Sequence, residues 1–274
     1  MKFFKGHGNG NDFVILDNRD GALSDDGLSR AALALCRRRA SIGADGVLVI
    51  ERTEEAHFRM RLFNADGSEG EMCGNGARVL ARLAFETGIA PSPMRFVTLA
   101  GVMEATVTPP FVELNMGRID LRSGVFGRSL RAGGQECPYV FLTVGVPHCV
   151  LLTEEERPRG EMFDLGRELR YDRGLFPDGA NVTFARRTPS GEVRAVTYER
   201  GVEDLTESCG TGCVATAIAA ALVWGATPPL DVVNPGGTNT VRLDFDPGHE
   251  WVHAWLKGRT ALTASGKAYP DAWA

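Results

Sequence analysis

Residues 64–78 read Asn-Ala-Asp-Gly-Ser-Glu-Gly-Glu-Met-Cys-Gly-Asn-Gly-Ala-Arg, and they place Cys73 in a glycine-rich turn ahead of an apolar run. Residues 207–216 read Glu-Ser-Cys-Gly-Thr-Gly-Cys-Val-Ala-Thr and give Cys209 the same setting. Each turn is followed by good helix formers with apolar spacing and then by a glycine, over residues 77–87 and 213–224. Both cysteines are therefore predicted to lie at helix N-termini.

A helix N-terminus is a favourable place for negative charge. Its first backbone N–H groups have no partner within the helix, and the helix dipole is positive at that end. The glycines around Cys73 and Cys209 would let an anion approach the backbone closely. Each turn could therefore stabilise a thiolate, with a lowered thiol pKa, or hold the carboxylate of a substrate.

The composition is that of a globular protein with 274 residues, 43% of them hydrophobic and 24% charged, which is enough for two medium domains. A net charge of −5 disfavours a nucleic-acid partner, and Arg37, Arg38 and Arg39 are predicted to form the solvated end of a helix. The first residues lack the apolar core of a signal peptide, and no run reaches the roughly 20 apolar residues of a membrane span. A cytoplasmic protein with six reduced cysteines is predicted.

The order of predicted elements in the first half of the chain is repeated in the second. Strand, turn and strand over residues 2–16 are followed by a helix from Ser24, further strands and the first cysteine helix, and the same order begins again at Tyr139. The two cysteines are 136 residues apart, close to half the chain. This repetition predicts an α+β fold with two similar, pseudo-symmetric lobes, each a curved antiparallel sheet or barrel around a central helix.

The lobes are predicted to comprise residues 1–117 and 118–261, with the tail 262–274 packing back on the first. If the two lobes face each other, their thiols converge on one cleft. Inverting a carbon that bears a hydrogen needs a base on one face and an acid on the other, and thiols with a pKa of about 8.5 or below can serve as both. The sequence thus favours a racemase or epimerase that needs no cofactor and no metal.

Several motifs in the same order resemble the diaminopimelate epimerase family. They are His7-Gly-Asn-Gly-Asn-Asp12, Phe63 to Glu69, Cys73 to Arg78, Pro147-His148-Cys149-Val150, Tyr198-Glu-Arg-Gly201 and Cys209 to Gly212. The resemblance runs from Lys2 to the region of Tyr269. It implies two similar lobes with the active site between them, and interconversion of LL- and meso-2,6-diaminoheptanedioate in lysine and peptidoglycan precursor synthesis.

The resemblance also implies roles for individual residues. Cys73 and Cys209 match the acid/base pair, assisted by His148 and Glu199. The positions that match substrate contacts are Asn11, Asn64, Gly74, Asn75, Asn181, Glu199, Arg200, Gly210 and Thr211. Tyr269 matches a contact of a homodimer. Two features depart from the family pattern: Val146 stands where many members carry an asparagine that touches substrate, and the segment from Arg200 to Cys209 is one residue longer than in some members.

Other interpretations of the cysteines remain open from the residues alone. Cys209 and Cys213 could form half a zinc site, although no second pair with ligand spacing accompanies them. A buried cysteine is usually a core residue, which is the prediction for Cys36, Cys137, Cys149 and Cys213. The alternative functions are another two-cysteine amino-acid racemase, a cysteine hydrolase or transferase that uses His148, and a non-catalytic amino-acid-binding protein.

Overall fold

The computed structural model describes residues 1–273, and it divides into two compact units. The first unit contains Met1–Asn115 and the residues from Gly258 onward, and the second contains Met116–Lys257. The predicted boundaries, after residues 117 and 261, differ from these by a few residues. The last residue of the predicted tail, residue 274, lies outside the described residues.

The first unit contains most of the first ten elements. They are β1 (Lys2–Gly8), β2 (Asn11–Asp17), α1 (Asp25–Leu35), β3 (Gly46–Glu51), β4 (Phe58–Asn64), β5 (Glu69–Gly70), α2 (Gly74–Glu86), β6 (Met94–Thr98), β7 (Gly101–Thr108) and β8 (Phe111–Asp120). Most neighbouring strands are antiparallel, but β2 pairs with β3 and β4 pairs with β6 in parallel. Parallel neighbours require a crossover connection. Helices α1 and α2 lie in the connections of these two pairs.

Helix α2 is the central helix of the first unit. Its residues from Asn75 to Ala81 are all buried, and the helix lies against β1, β2, β3, β4 and β7. The helix ends at Glu86 with Thr87 as its C-cap, and Gly88 then adopts a left-handed φ of 70° that a glycine accepts without strain. Helix α1 begins at Ser24, whose hydroxyl accepts a hydrogen bond from the Gly27 N–H at 3.3 Å.

The second unit is built from the elements that follow β8. They are β9 (Val125–Ala132), β10 (Gln135–Val144), β11 (Val146–Thr153), α3 (Arg159–Tyr171), β12 (Asn181–Arg187), β13 (Val193–Tyr198), β14 (Leu205–Thr206), α4 (Gly210–Trp224), β15 (Leu230–Asn234), β16 (Gly237–Phe245) and β17 (Trp251–Lys267). The last part of β17 belongs to the first unit, where it pairs with β1. A short 3₁₀ helix, Pro270–Trp273, follows it and packs on α1.

The strand pairings of the first unit recur in the second. Strands β10 and β11 are antiparallel, β11 and β12 are parallel across α3, β12 and β13 are antiparallel, and β13 and β15 are parallel across α4. Helix α4 is buried from Gly212 to Ala220 and packs against β9 to β13, β15 and β16. The predicted α+β fold, with a central helix in each of two similar units, is confirmed, and its sheets are mixed rather than purely antiparallel.

Three local features differ from what the sequence alone indicates. The turn between β1 and β2 consists of Asn9 and Gly10, because both adopt a positive φ, and Asn11 begins β2. Helix α1 ends at Leu35, before the three arginines, and Arg38 binds two carboxylates instead of ending the helix in solvent. Strand β9 was not predicted, because Gly127 interrupts its alternating pattern.

Candidate active site

Cys73 is the N-cap residue of α2, as the sequence predicts. Its backbone is extended, with φ −133° and ψ 122°, and its carbonyl accepts the first hydrogen bond of the helix from the Ala77 N–H at 2.8 Å. The half-buried thiol lies 3.5 Å from Oδ1 of Asn11, a geometry in which the thiol donates to the amide oxygen. The first cysteine and one predicted substrate-binding residue are therefore neighbours.

The side chain of Asn11 is held from two sides. Its Oδ1 also accepts from Nδ2 of Asn75 at 3.4 Å, and Oδ1 of Asn75 accepts from the guanidinium of Arg78 at 2.6 Å. Nδ2 of Asn11 donates to the carboxylate of Asp45 at 2.8 Å. Because each amide has one end bound to a charged group, both orientations are fixed, and Asn11 presents its oxygen to Cys73.

Two residues of this network, Asp45 and Arg78, were not predicted to belong to the site. Arg78 is the largest of the fully buried side chains, and it also donates to the Gly74 carbonyl at 3.3 Å. Asp45 accepts from Arg38 at 2.7 Å, and Arg38 also binds Asp12. The sequence did carry a signal for Arg78, because this arginine stands between Ala77 and Val79 in an apolar run, and an arginine that is fully buried needs partners.

Asn64 lies apart from this network, at the exposed end of β4. Its Nδ2 donates to the hydroxyl of Ser68 at 3.0 Å, within the turn that leads to β5. Its backbone N–H donates to the Ser68 carbonyl at 2.8 Å. The structure therefore gives Asn64 a local role in its own turn, and its predicted contact with substrate stays a prediction.

Cys209 is the N-cap residue of α4 and occupies a setting like that of Cys73, but it is more deeply buried, with 5% of its surface exposed. Its sulfur accepts from the Gly212 N–H at 3.4 Å and lies 3.5 Å from the Thr211 hydroxyl. Burial, followed by the charge of Glu199, raises the pKa of the Cys209 thiol well above its usual value, although both hydrogen bonds lower it. The prediction of a lowered pKa is wrong for Cys209, because burial outweighs the helix end.

Glu199 follows β13 directly. Its carboxylate accepts a hydrogen bond from the hydroxyl of Thr206. Burial raises the pKa of Glu199 above its ordinary value, and the Thr206 hydroxyl and the neighbouring Cys209 thiol oppose the rise. The carboxylate and the thiol therefore form a pair in which a second negative charge is disfavoured.

Asn181, Arg200 and His148 lie on neighbouring segments of the same unit. Oδ1 of Asn181 accepts from the Arg200 backbone N–H at 2.7 Å, and the exposed guanidinium of Arg200 donates to the Asp178 carbonyl at 3.2 Å. His148 is opposite Asn181 in the parallel pairing of β11 and β12. His148 is fully buried, and neither ring nitrogen has a hydrogen-bond partner within residues 1–273.

The zinc interpretation of Cys209 and Cys213 finds no support in the described part of the chain, which contains no group of three or more His, Cys, Asp or Glu side chains able to hold a metal ion. The sulfur of Cys213 lies instead among the amides of Asn234 and Asn239, at 3.1 and 3.3 Å from their Nδ2 atoms. Cys213, like Cys36, Cys137 and Cys149, is buried, which confirms the prediction that these four residues belong to the core.

Comparison with known proteins decides the family. The family model described as diaminopimelate epimerase matches residues 3–121 and 140–253. The chain belongs to the diaminopimelate epimerase family. It is therefore an isomerase of the racemase and epimerase class. Among the described residues, no helix combines the length and the apolar character that crossing a membrane requires.

Curated members of the diaminopimelate epimerase family align along most of this chain. The diaminopimelate epimerase of Archaeoglobus fulgidus is 36% identical in an alignment that covers 91% of this chain and 91% of its own. That of Hydrogenobaculum sp. is 38% identical and covers 86% of this chain and 89% of its own. That of Aquifex aeolicus is 37% identical, with 89% and 90% covered.

Solved structures with the same fold have more distant sequences. A phenazine biosynthesis protein of the PhzF family from Bacillus anthracis aligns with a TM-score of 0.71 at 16% identity and covers 97% of this chain and 98% of its own. A probable proline racemase from Agrobacterium radiobacter K84 aligns with a TM-score of 0.68 at 16% identity, with 99% and 95% covered. These similarities show that the fold is shared beyond the diaminopimelate epimerase family.

Proposed function

We propose that this chain interconverts LL- and meso-2,6-diaminoheptanedioate, with Cys73 and Cys209 as its two acid/base groups. The observation that carries the proposal is the matched placement of the thiols: each is the N-cap of a buried helix that begins with glycine, in a chain of the diaminopimelate epimerase family. One thiolate removes the α-hydrogen from one face of the substrate carbon, and the other thiol returns a proton to the opposite face. The reaction in the reverse direction exchanges these roles.

The two thiols have different polar partners, which suits an acid and a base. Cys73 donates to the oxygen of Asn11, a contact that stabilises the neutral thiol. Cys209 is next to the Glu199 carboxylate, so that one negative charge can be shared between the pair as a proton moves between them. Cys209 also accepts from the Gly212 N–H, which stabilises its thiolate.

Helix N-termini are the proposed binding sites for the carboxylate of the reacting end. The backbone N–H groups of Gly74, Asn75, Gly210 and Thr211 begin α2 and α4, where intrahelical partners are missing. Their dipoles stabilise the charge that develops on the carboxylate as the α-hydrogen leaves. We assign Asn64, Asn181, Glu199 and Arg200 to the distal amino-acid end of the substrate, as the family resemblance implies, with Arg200 on its carboxylate.

The remaining parts of the proposal concern the setting of the reaction. The two thiols supply both proton transfers, so we propose that the enzyme needs neither a cofactor nor a metal. We place it in the cytoplasm, in the synthesis of lysine and peptidoglycan precursors, where its six free cysteines stay reduced. We also propose a homodimer with Tyr269 at its interface, because Tyr269 leaves 81% of its surface exposed.

A second candidate is another amino-acid racemase of the same fold, which Val146 favours because it removes one polar substrate contact. A cysteine hydrolase is less well supported: it needs a base beside its nucleophile, and the ring nitrogens of His148 have no hydrogen-bond partner among the described residues.

The test is a hydrogen exchange assay in deuterated water. The purified protein is dialysed against a chelator and incubated with LL-diaminopimelate, meso-diaminopimelate or lysine, and the α-hydrogen signal and the stereochemistry of each are followed by NMR. We expect exchange and inversion of both diaminopimelate isomers and none of lysine, which lacks the distal carboxylate. Equal turnover of lysine would assign the chain to another racemase, and a requirement for added pyridoxal phosphate or zinc would contradict the two-thiol chemistry.

A further inference from the structure

The turn between β13 and β14 brings a side-chain hydroxyl to the Glu199 carboxylate. The two strands are antiparallel, with Thr197 opposite Thr206 and Tyr198 opposite Leu205. One residue beyond this pairing, the Glu199 N–H donates a hydrogen bond to the Asp204 carbonyl at 3.1 Å and closes the turn. The register therefore fixes where the Thr206 side chain lies relative to Glu199.

We propose that Thr206 is a positioning residue of the isomerase reaction, whose hydroxyl holds the Glu199 carboxylate against the Cys209 thiol. The inference rests on the proposed function, in which Glu199 and Cys209 exchange a proton. The Thr206 hydroxyl has one proton and two acceptors in reach: the Glu199 carboxylate and the Thr197 carbonyl, the latter at 3.5 Å. The charged acceptor makes the stronger hydrogen bond, so the proton goes to Glu199.

The turn itself is anchored from a second element, which keeps this geometry in place. The Glu203 N–H donates to the Glu199 carbonyl at 2.8 Å, and the Glu203 carboxylate accepts from Arg170 of α3 at 3.0 Å. The same carboxylate accepts from the Gly201 N–H at 3.0 Å. The turn between β13 and β14 is therefore tied to α3 by a salt bridge.

The hydrogen bond from Thr206 shifts the pKa of Glu199 in a direction that an experiment can measure. Within the second unit, the groups that shift the pKa of Glu199, apart from burial, are the Thr206 hydroxyl and the Cys209 thiol, and both lower it. Removing the hydroxyl leaves burial less opposed, so the pKa of Glu199 rises further. The carboxylate is then protonated at a higher pH, and at a given pH a smaller fraction of it can accept the proton of Cys209.

The test compares Thr206→Val, which keeps the shape of the side chain but has no hydroxyl, with Thr206→Ser, which keeps the hydroxyl. The matched control is Thr183→Val, because Thr183 is a buried strand hydroxyl whose partner is Thr197, at 3.0 Å, and not Glu199. Two quantities are measured for each: the pH profile of kcat/KM for meso-diaminopimelate, and the titration of the Glu199 side-chain carboxyl by NMR with ¹³C-labelled glutamate, assigned with Glu199→Gln.

For Thr206→Val we expect kcat/KM to fall roughly tenfold at neutral pH, because one hydrogen bond to a charged group is lost. We also expect the acidic limb of the profile and the NMR titration of Glu199 to move to higher pH. Thr206→Ser should restore both, and Thr183→Val should leave both where they are in the wild type. If Thr206→Val does not fold, Thr206→Ala is used with the same expectations.

An unmoved Glu199 titration in the variant without the hydroxyl would overturn the proposal, as would an equal shift in Thr183→Val. The NMR titration separates this inference from the proposed function, because it does not depend on turnover. A wild type that inverts no diaminopimelate would refute the function, whereas an active wild type with an unmoved Glu199 in Thr206→Val would refute only the role of Thr206.

Discussion

His148 is predicted to make the stability of the protein depend on pH. The ring is fully buried in β11, and burial, followed by the charge of Arg200, lowers its pKa to about 3. In the unfolded chain the pKa of the same side chain is about 6.5. Between these two values the unfolded chain binds a proton that the folded chain does not, so stability falls as the pH falls through this window.

The size of the effect follows from the two pKa values. Each pH unit within the window is worth about 1.4 kcal/mol for one proton. Most of the change in the free energy of unfolding occurs below pH 6.5. Lowering the pH from 7 to 5 should therefore reduce the free energy of unfolding by about 2 kcal/mol through His148 alone. Carboxyl groups such as Glu199 also change their protonation on acidification. Their contribution to the free energy of unfolding is the same in a variant that lacks only the imidazole of His148, so it cancels in the comparison.

The assay is urea unfolding at pH 7 and pH 5 for the wild type, His148→Gln and the control His57→Gln. His57 is exposed and lies outside the site, so it serves as the control for replacing a histidine by glutamine. We expect the wild type and the control to lose about 2 kcal/mol more than His148→Gln between the two pH values. Equal losses in all three proteins would show that His148 is hydrogen bonded or charged in the folded state, and would refute this description of the site.

Two further substitutions test the polar contacts of the site. Asp45→Ala removes the acceptor that fixes the side chain of Asn11. Because Asp45 is partly exposed, we expect kcat/KM to fall roughly fivefold, which corresponds to about 1 kcal/mol. The control Asp17→Ala, which removes another carboxylate bound to an arginine, should not reproduce this loss. Arg200→Met should cost at least ~2 kcal/mol in transition-state binding of diaminopimelate, measured as kcat/KM. Arg187 is exposed, and the control Arg187→Met should leave kcat/KM unchanged. An unchanged kcat/KM in Arg200→Met would show that another residue binds the distal carboxylate.

Much of the fold could be predicted because its signals are local. The glycines that follow Cys73 and Cys209 mark helix N-termini, and the glycines after the helices mark their ends. The repeated order of elements indicated two similar units. The parallel strand pairs could not be predicted in this way, because they depend on which distant segments become neighbours in the sheet. Strand β9 pairs with the next strand along the chain, but Gly127 interrupts its alternating pattern.

The reacting side chains of the site could be predicted from the sequence better than their contacts and pKa values. The two thiols and the amide of Asn11 could be proposed from motifs, but the contact between Asn11 and Asp45 joins residues 34 positions apart. The raised pKa of Cys209 could not be predicted either, because it results from burial and from the carboxylate of Glu199, which follows a different element of the chain. Tertiary contacts of this kind leave no periodic signal in a sequence.

Single alanine variants test whether Cys73 and Cys209 both take part in inversion. Inversion of LL- and meso-diaminopimelate is measured in each direction for Cys73→Ala, Cys209→Ala and the control Cys36→Ala, a buried core thiol. We expect each of the first two variants to lose inversion in both directions, whereas the control should keep it. Inversion retained by either Cys73→Ala or Cys209→Ala would contradict the two-base mechanism.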